Sequence, residues 1–276
     1  MKLILSIEIF KLLKQNRTYY ALAAIFIIEL IVFVIAYYQG TAILDILLNN
    51  LRDTFYFSGN LLNGNLLTYM LLNSLWFDIP LILMIVISGM ITTEYQEKTL
   101  QSIFLQPVSK LKFILSKYVV GITFTIVVVL LLAITSFGFS FAIFGKGDLV
   151  VYMDALNFFE SNDAFNRLFL AFVSGSITLV FFSVLSLTLG IIFKETIKTW
   201  IFAALLLIVS NLLSQIDMPY FAMDKWFLPK LIDTWQDFFY YEIPLQSILI
   251  KSALLCVYIL MTIAIGVGVF QKRDIG

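Results

Sequence analysis

Residues 94–110 read Glu-Tyr-Gln-Glu-Lys-Thr-Leu-Gln-Ser-Ile-Phe-Leu-Gln-Pro-Val-Ser-Lys. This stretch lies between two apolar runs, each of which is long enough to cross a bilayer. It is too long and too charged for a simple turn, and Pro107 separates a helical first half from a basic second half. A protein that only crosses the bilayer needs no such element. The stretch therefore predicts contact with a partner at the membrane surface.

The composition predicts a polytopic membrane protein. The chain has 276 residues, of which 61% are hydrophobic and 13% charged, whereas soluble domains are roughly 45–50% apolar. A soluble surface of this size would need far more charge. The chain has no histidine, which excludes histidine metal sites and general bases, and its single cysteine, Cys256, excludes an intrachain disulfide. The zero net charge gives no indication of nucleic-acid binding, and we expect none.

The apolar runs predict an all-α fold with six transmembrane helices in one domain, 1–276. Crossing the hydrocarbon core takes about 20 mostly apolar residues. We expect the first run to be a span and not a cleaved signal, because no small-residue cleavage pattern follows it. The predicted spans cover residues 19–38, 72–91, 114–144, 168–193, 199–216 and 248–270.

The distribution of charge predicts that both termini are cytoplasmic. With that orientation, the segments 1–18, 92–117, 194–198 and 271–276 hold 12 of the 18 basic residues but five of the 18 acidic ones. The opposite segments, together with the outer parts of the spans that hold Asp78 and Lys251, contain six basic and twelve acidic residues. An excess of Lys and Arg marks the cytoplasmic side. The four basic residues among the first 18 also favour an N-terminal interfacial helix.

The outer segments are 39–71, 145–167 and 217–247, and the aromatic residues and acids of the last one predict short helices on the outer membrane face. We expect the aromatic residues at 235–241 to be interfacial anchors in preference to a ligand cage. Asp78 and Pro80 predict either a break in the second span or, as we prefer, a later start. Small residues in the fourth span favour close helix packing over a polar pathway; they are Ser174, Gly175, Ser176, Ser183, Ser186 and Gly190.

A helix over 94–104 would place Leu100, Ile103 and Phe104 on one side. Its other side would hold polar residues, with Glu94 and Lys98 as an i,i+4 ion pair. Pro107 would end the helix. The pattern predicts a bent helical element with one apolar side, although an ordinary basic loop between spans remains the alternative.

This segment resembles the permease subunits of type 2 ATP-binding-cassette (ABC) exporters. In that family a Glu follows the second span, and a Thr-Leu pair, a Pro-Val-Ser and a Lys come after it. Here these are Glu94, Thr99-Leu100, Pro107-Val108-Ser109 and Lys117, whereas Lys98 stands where the family usually has glycine. The chain length, six spans and the ending Phe270-Gln-Lys-Arg-Asp-Ile275 are similar as well.

The resemblance implies a half-transporter that pairs with a second permease copy, as a homodimer, or with a homologous permease, and binds two copies of a cytoplasmic ATPase. Residues 94–117 would be the coupling helix, and Leu100→Asp or Phe104→Asp would then uncouple ATP use from transport without unfolding the spans. The residues that would couple to the ATPase are Glu94, Glu97, Thr99, Leu100, Ile103, Phe104 and Pro107.

The chain is expected not to be an enzyme. It contains no G-x-x-x-x-G-K-[ST] phosphate loop, so ATP and Mg would be bound by the partner subunit and no cofactor or metal by this chain. The resemblance implies export across the cytoplasmic (inner) membrane of a bacterium. The outer segments also offer a surface for an extracytoplasmic accessory protein.

Glu29 lies near the middle of the first predicted span. An ionisable residue there is energetically expensive and is a candidate functional residue. It would line a substrate path or bond a polar group on a neighbouring span. A stand-alone secondary transporter or channel that uses Glu29 is therefore the alternative to the permease. An intramembrane enzyme is disfavoured, because the spans hold no catalytic set of acids or histidines.

Overall fold

A computed structural model describes residues 2–52, 61–153, 155–214 and 226–273, with the backbone alone for 41–52. The chain is mostly helical. In order, the elements are α1 (Lys2–Lys14), α2 (Asn16–Arg52), α3 (Gly64–Gln96), α4 (Thr99–Phe104), α5 (Lys110–Phe144), β1 (Leu149–Tyr152), β2 (Leu156–Phe159), α6 (Ser161–Phe193), α7 (Thr196–Ser214), α8 (Leu228–Ile232), a 3₁₀ helix (Thr234–Phe239) and α9 (Leu245–Lys272).

Six of these helices are long and apolar enough to cross a membrane, which confirms the predicted number of spans. They are α3, α5, α6, α7, α9 and the Asn16–Gly40 part of α2. The chain is thus a multi-pass membrane protein. The structure agrees with the predicted all-α membrane protein, and it adds one short antiparallel hairpin of β1 and β2, in which Val150 pairs with Phe158. Residues on one face of this hairpin, including Leu149 and Phe159, are buried, so alternation of burial favours strands there.

The second span begins earlier than predicted and is not broken at Pro80. Asn63 caps α3, since its side chain accepts a hydrogen bond of 3.1 Å from the Leu66 N–H. The Asn65 amide donates to the carbonyls of Gly147 and Ser161 at 2.7 and 3.0 Å. Asparagine is typical of turns and loops. Here, however, the Asn63 side chain caps α3, and the Asn65 side chain connects its start to the hairpin region.

Small residues bring α3 and α6 close together, as predicted for the fourth span. An added Cβ at Gly175 would lie 2.8 Å from the Trp76 ring, and one at Gly190 would lie 2.9 Å from Ile91. The Ser183 hydroxyl forms a 2.7 Å hydrogen bond with Thr125 on α5. Ser174 and Ser186 are also buried, whereas Ser176 is half-buried. Packing therefore accounts for most of this polar set.

The outer aromatic residues are not interfacial anchors as a group, and this prediction is wrong. Trp235 and Phe239 are 1% and 0% exposed. The Trp235 ring packs 5.0 Å from that of Trp76 on α3. Arg167 of α6 donates to the carbonyls of Phe238 and Tyr240 at 2.9 and 2.7 Å, which holds the 3₁₀ helix down on the bundle. These aromatic residues can belong to the core because buried Arg167 donates hydrogen bonds to the backbone carbonyls beside them, which would otherwise be left without a partner.

The bundle has two distinct ends. The one that we call the basic end contains α1, α4 and the last turn of α9, and there Lys110 Nζ donates to the Arg273 carbonyl at 2.7 Å. The other, which we call the hairpin end, contains β1, β2, α8 and the 3₁₀ helix. The helix predicted at the N-terminus is present as α1.

Candidate functional site at the basic end

The backbone turns sharply between α3 and α4. Lys98 has φ 56° and ψ 19°, the left-handed conformation, and its N–H bonds the Tyr95 carbonyl at 3.3 Å. The predicted continuous helix over 94–104 is therefore wrong, because α3 ends at Gln96 and α4 starts at Thr99. A residue with a Cβ pays about 1 kcal/mol or more for this conformation, whereas glycine adopts it freely. The position that glycine usually occupies in the resembling permeases is thus a strained one here.

The apolar side of α4 faces the rest of the chain. Leu100 is 2% exposed, and the Phe104 ring lies 5.3 Å from Phe113 and 6.1 Å from Phe270. Ile103 also packs against the core. These three residues share one side as predicted, but an aspartate at Leu100 would be buried without a solvent shell. From this burial we now expect Leu100→Asp to destabilise the packing of α4, in contrast to the expectation from the sequence.

The chain between α3 and α5, which contains α4, forms an elbow. Its exposed residues lie on the outward side of α4 and in the turns on either side of it, and we call them the elbow surface. Leu105 is its apolar member, with 89% of its surface exposed. Leu105 lies outside the apolar side formed by Leu100 and Phe104, and sequence reasoning missed it. The sequence did contain a signal for it, because Leu105 is an apolar residue that lies outside this apolar side and two positions before Pro107. The elbow surface consists of Glu97, Lys98, Gln101, Ser102, Leu105, Gln106 and Pro107.

Four charged side chains meet beneath the elbow, and we call them the four-charge cluster: Glu8, Lys11, Glu94 and Lys117. Lys117 Nζ lies 2.7 Å from Glu8 Oε2 and 2.9 Å from Glu94 Oε2, and it donates to the Met90 carbonyl at 2.9 Å. Lys11 Nζ lies 3.1 Å from Glu8 Oε1 and 2.9 Å from Glu94 Oε1. Each carboxylate thus bridges both ammonium groups.

The cluster is electrically balanced, and three of its members are buried, whereas the Lys11 side chain is 39% exposed. Lys117 is 0% exposed and Glu8 3%. Burial lowers the pKa of Lys11, but the adjacent carboxylates of Glu94 and Glu8 outweigh it and raise that pKa above its usual value. A buried charge left without its partner costs several kcal/mol, about 3–5 in measured cases. The cluster therefore specifies one position of α1 against α3 and α5.

The structure places the predicted residue Glu94 at the centre of this cluster. Glu94 pairs with Lys11 and Lys117, and the predicted Glu94–Lys98 pair is wrong because the helix ends before Lys98. Sequence reasoning missed Glu8 and Lys11. The available signal was that Glu8 is the sole acid among the first 18 residues, three positions before Lys11.

The other predicted coupling residues have different surroundings. Thr99 donates to the Glu94 carbonyl at 3.4 Å, so it helps to close the turn. Glu97 is exposed, and its charge acts on Arg17, which donates to Thr93 at 2.8 Å. Pro107 is exposed in the turn before α5. A groove of about 530 Å³ lies between α1 and α4; its lining includes Phe10, Lys14, Glu97, Ser102 and Gln106.

Glu29 lies apart from this cluster, on α2. It is 1% exposed. Both of its carboxyl oxygens accept hydrogen bonds from α5, at 2.9 Å from Thr135 and 2.8 Å from Ser136. Glu29 was predicted either to line a substrate path or to bond a polar group on a neighbouring span. The hydrogen bonds to α5 agree with the second role.

Comparison with known proteins identifies a family but no activity. A family model described as "Protein of unknown function (DUF2705)" matches residues 41–276. The chain belongs to the DUF2705 family. Within the DUF2705 match lie Glu94 and Lys117, whereas Glu8 and Lys11 precede it. The four-charge cluster thus joins an N-terminal helix outside the matched region to the family's own spans.

A curated relative is similar over part of its length. The chain is 22% identical over 200 residues to "Uncharacterized protein YhcI" of Bacillus subtilis (strain 168). The similarity covers 69% of this DUF2705 chain and 63% of the relative, which is less than two thirds of that protein.

Proposed function

We propose that this chain is the membrane-spanning permease subunit of an ABC transporter, most simply an exporter. The observation that carries the proposal is the elbow between the second and third spans, which presents a polar surface with exposed Leu105 and is fixed from below by buried charges. A surface that must receive force from a partner needs such a rigid base.

The packing of α4 suits it to transmit movement. Phe104 contacts Phe113 at the start of α5 and Phe270 near the end of α9. Because packed interiors deform little, a push on α4 would be passed to both spans. The four-charge cluster would carry the same push to α1. Glu94 and Lys117 would then position the coupling helix, while Leu105 and its exposed neighbours would meet the partner.

The energy would come from another protein. The sequence has no phosphate loop, so two copies of an ATPase subunit would bind ATP and Mg at the basic end. Two permease chains would pair to enclose the pathway. The basic end would then face the cytoplasm, in agreement with its excess of Lys and Arg. The membrane would be the cytoplasmic membrane of a bacterium.

A stand-alone transporter that uses Glu29 is less favoured. Both oxygens of that carboxyl are engaged by hydroxyls of one neighbouring helix. A coupling site for an ion would need several ionisable or carbonyl groups that converge on it. Among the residues that the structure describes, no cluster of three or more His, Cys, Asp or Glu could hold a metal ion.

Copurification tests the proposal. The tagged chain, expressed with its neighbouring genes, is isolated in mild detergent, and bound subunits are identified by mass spectrometry. We expect an ATPase subunit at one-to-one stoichiometry, lost in Leu105→Asp and kept in Tyr152→Asp, which alters an exposed residue at the hairpin end. Purification of the chain without an ATPase would contradict the proposal.

A further inference from the structure

A polar cavity of about 380 Å³ lies at the hairpin end, where α3 and α7 meet the turn between α8 and the 3₁₀ helix. All of its lining residues belong to the described part of the chain. Its polar lining residues are Asn73, Asn211, Ser214, Asp233 and Gln236, and Trp76 and Phe77 line it as well. The cavity thus brings several side chains that carry oxygen acceptors together at one end of the bundle.

Asp233 is fixed in place at this cavity. Trp76 Nε1 donates to Asp233 Oδ1 at 3.2 Å. Trp76 is itself 8% exposed and packs against Trp235, so the donor does not rotate freely. Ser214 also forms a hydrogen bond with Asp233. An ionised carboxylate has about four acceptor positions, so acceptor capacity remains for a ligand in the cavity.

The charges around the cavity favour a cation. Among the residues that the structure describes, the charged groups that act on Asp233 are Asp237 and Lys251. Lys251 Nζ lies 2.6 Å from Asp237 Oδ2, so its positive charge is already matched. Burial is the largest cause that raises the pKa of Asp233, and the negative charge of Asp237 adds to it. The hydrogen bonds from Ser214 and Trp76 and the charge of Lys251 lower this pKa but do not outweigh burial. A bound cation would compensate the burial of the carboxylate.

We propose that this cavity binds a small organic ammonium ion. The ammonium N–H groups would donate hydrogen bonds to the Asp233 carboxylate and to the amide oxygens of Asn73, Asn211 or Gln236. The volume of about 380 Å³ exceeds what one alkali ion fills and falls in the range of roughly 300–1,000 Å³ of small-molecule sites. Phe77, which lines the same cavity, supplies an apolar wall for the alkyl part. The site goes beyond the proposed permease function and requires no ATPase.

The test is a tryptophan-fluorescence titration of the purified chain in nanodiscs. Trp76 is the reporter, because its indole donates to the carboxylate that the ligand would contact. Ethylammonium chloride should change the emission in a saturable manner, and sodium chloride at the same concentrations should not. Tetramethylammonium, which lacks N–H donors, should bind at least tenfold more weakly. Trp76→Phe should remove the signal.

Variants decide whether the cavity is responsible. Asp233→Asn should weaken ethylammonium binding at least tenfold, and the matched control Glu242→Gln, at an exposed acid of the same end, should leave it unchanged. Gln236→Leu removes an amide of the lining while keeping the Trp76–Asp233 bond, and it should also weaken binding. The inference is overturned if the wild-type chain shows no saturable change, if sodium acts equally, or if folded Asp233→Asn and Gln236→Leu bind as the wild type does.

Discussion

The ammonium group of Lys117 lies 2.7 Å from a carboxylate oxygen of Glu8, a residue 109 positions earlier in the chain. This pair joins the N-terminal helix α1 to the start of the third span, and Glu94 and Lys11 complete the balance of charge. The position of α1 thus depends on a few buried charges.

Lys117→Met should therefore destabilise the protein strongly. The substitution keeps the length of the side chain but leaves two buried carboxylates with Lys11 as the one remaining ammonium of the cluster, which should cost about 3–5 kcal/mol. Thermal unfolding in detergent measures the effect. Lys198→Met is the control, because Lys198 is 61% exposed and pairs with Glu195 at the surface, where a pair contributes about 0–1 kcal/mol. Equal midpoints for the two variants would contradict the structural role of the cluster.

Lys98→Gly should stabilise the protein. The left-handed backbone at Lys98 carries a steric cost that glycine lacks, so we expect a gain of about 1 kcal/mol. Lys112→Gly, in the first turn of α5, is the matched control and should instead lose stability, because glycine is a poorer helix former than lysine. Unfolding midpoints of the three proteins in the same detergent would settle the matter. A loss of stability in Lys98→Gly would show that the lysine side chain stabilises the turn.

Asp233 should make stability depend on pH. Burial raises the pKa of Asp233 in the native state. Below the pKa of the unfolded chain Asp233 is protonated in both states and does not affect stability. The free energy of unfolding then falls as the pH rises from there through the raised native pKa. Asp233→Asn should remove this loss and unfold at a higher temperature than the wild type at pH 7. Unfolding midpoints across pH 4–8 measure it, with Glu242→Gln as the control. Parallel pH profiles for wild type and Asp233→Asn would refute this account.

Glu29→Gln should keep the first span in place. The glutamine oxygen accepts from Ser136, and its amide donates to Thr135, whose hydroxyl also reaches the Leu131 carbonyl at 3.0 Å. Glu29→Leu should lose both bonds and about 1 kcal/mol in total. Unfolding midpoints compare the variants. Loss of transport in a stable Glu29→Gln protein would instead support a mechanism that uses the ionised acid.

The sequence predicted the parts of the fold that depend on local pattern. Apolar length alone identified the six spans, and the proline at Pro107 marked the end of the elbow. Asn63 and Asn65 fell in the outer segment before the predicted second span, because apolar length did not reveal that Asn63 caps α3 and that Asn65 bonds the distant carbonyl of Gly147. Trp235 was assigned to the membrane interface for a similar reason. Its burial depends on Arg167, which holds the 3₁₀ helix from another span.

The candidate site was predictable only in outline. The motif around Glu94 and Lys117 directed attention to the correct turn, but periodicity could not show which side of α4 faces the core. Leu100 and Phe104 look like a docking face in isolation. Their burial depends on Phe113 and Phe270, which come from two other helices. The pairing of Glu8 with Lys117 is equally non-local and has no signature in the sequence.

Photocrosslinking from residue 105 tests the central claim most directly. A benzophenone amino acid replaces exposed Leu105 at the basic end or, as the control, exposed Tyr152 at the hairpin end. Cells that express the neighbouring genes are irradiated, and the adducts are identified by mass spectrometry. We predict a crosslink from position 105 to a subunit with a G-x-x-x-x-G-K-[ST] phosphate loop, and no such crosslink from position 152. Absence of that adduct at position 105, with the ATPase present in the same cells, would contradict the permease account.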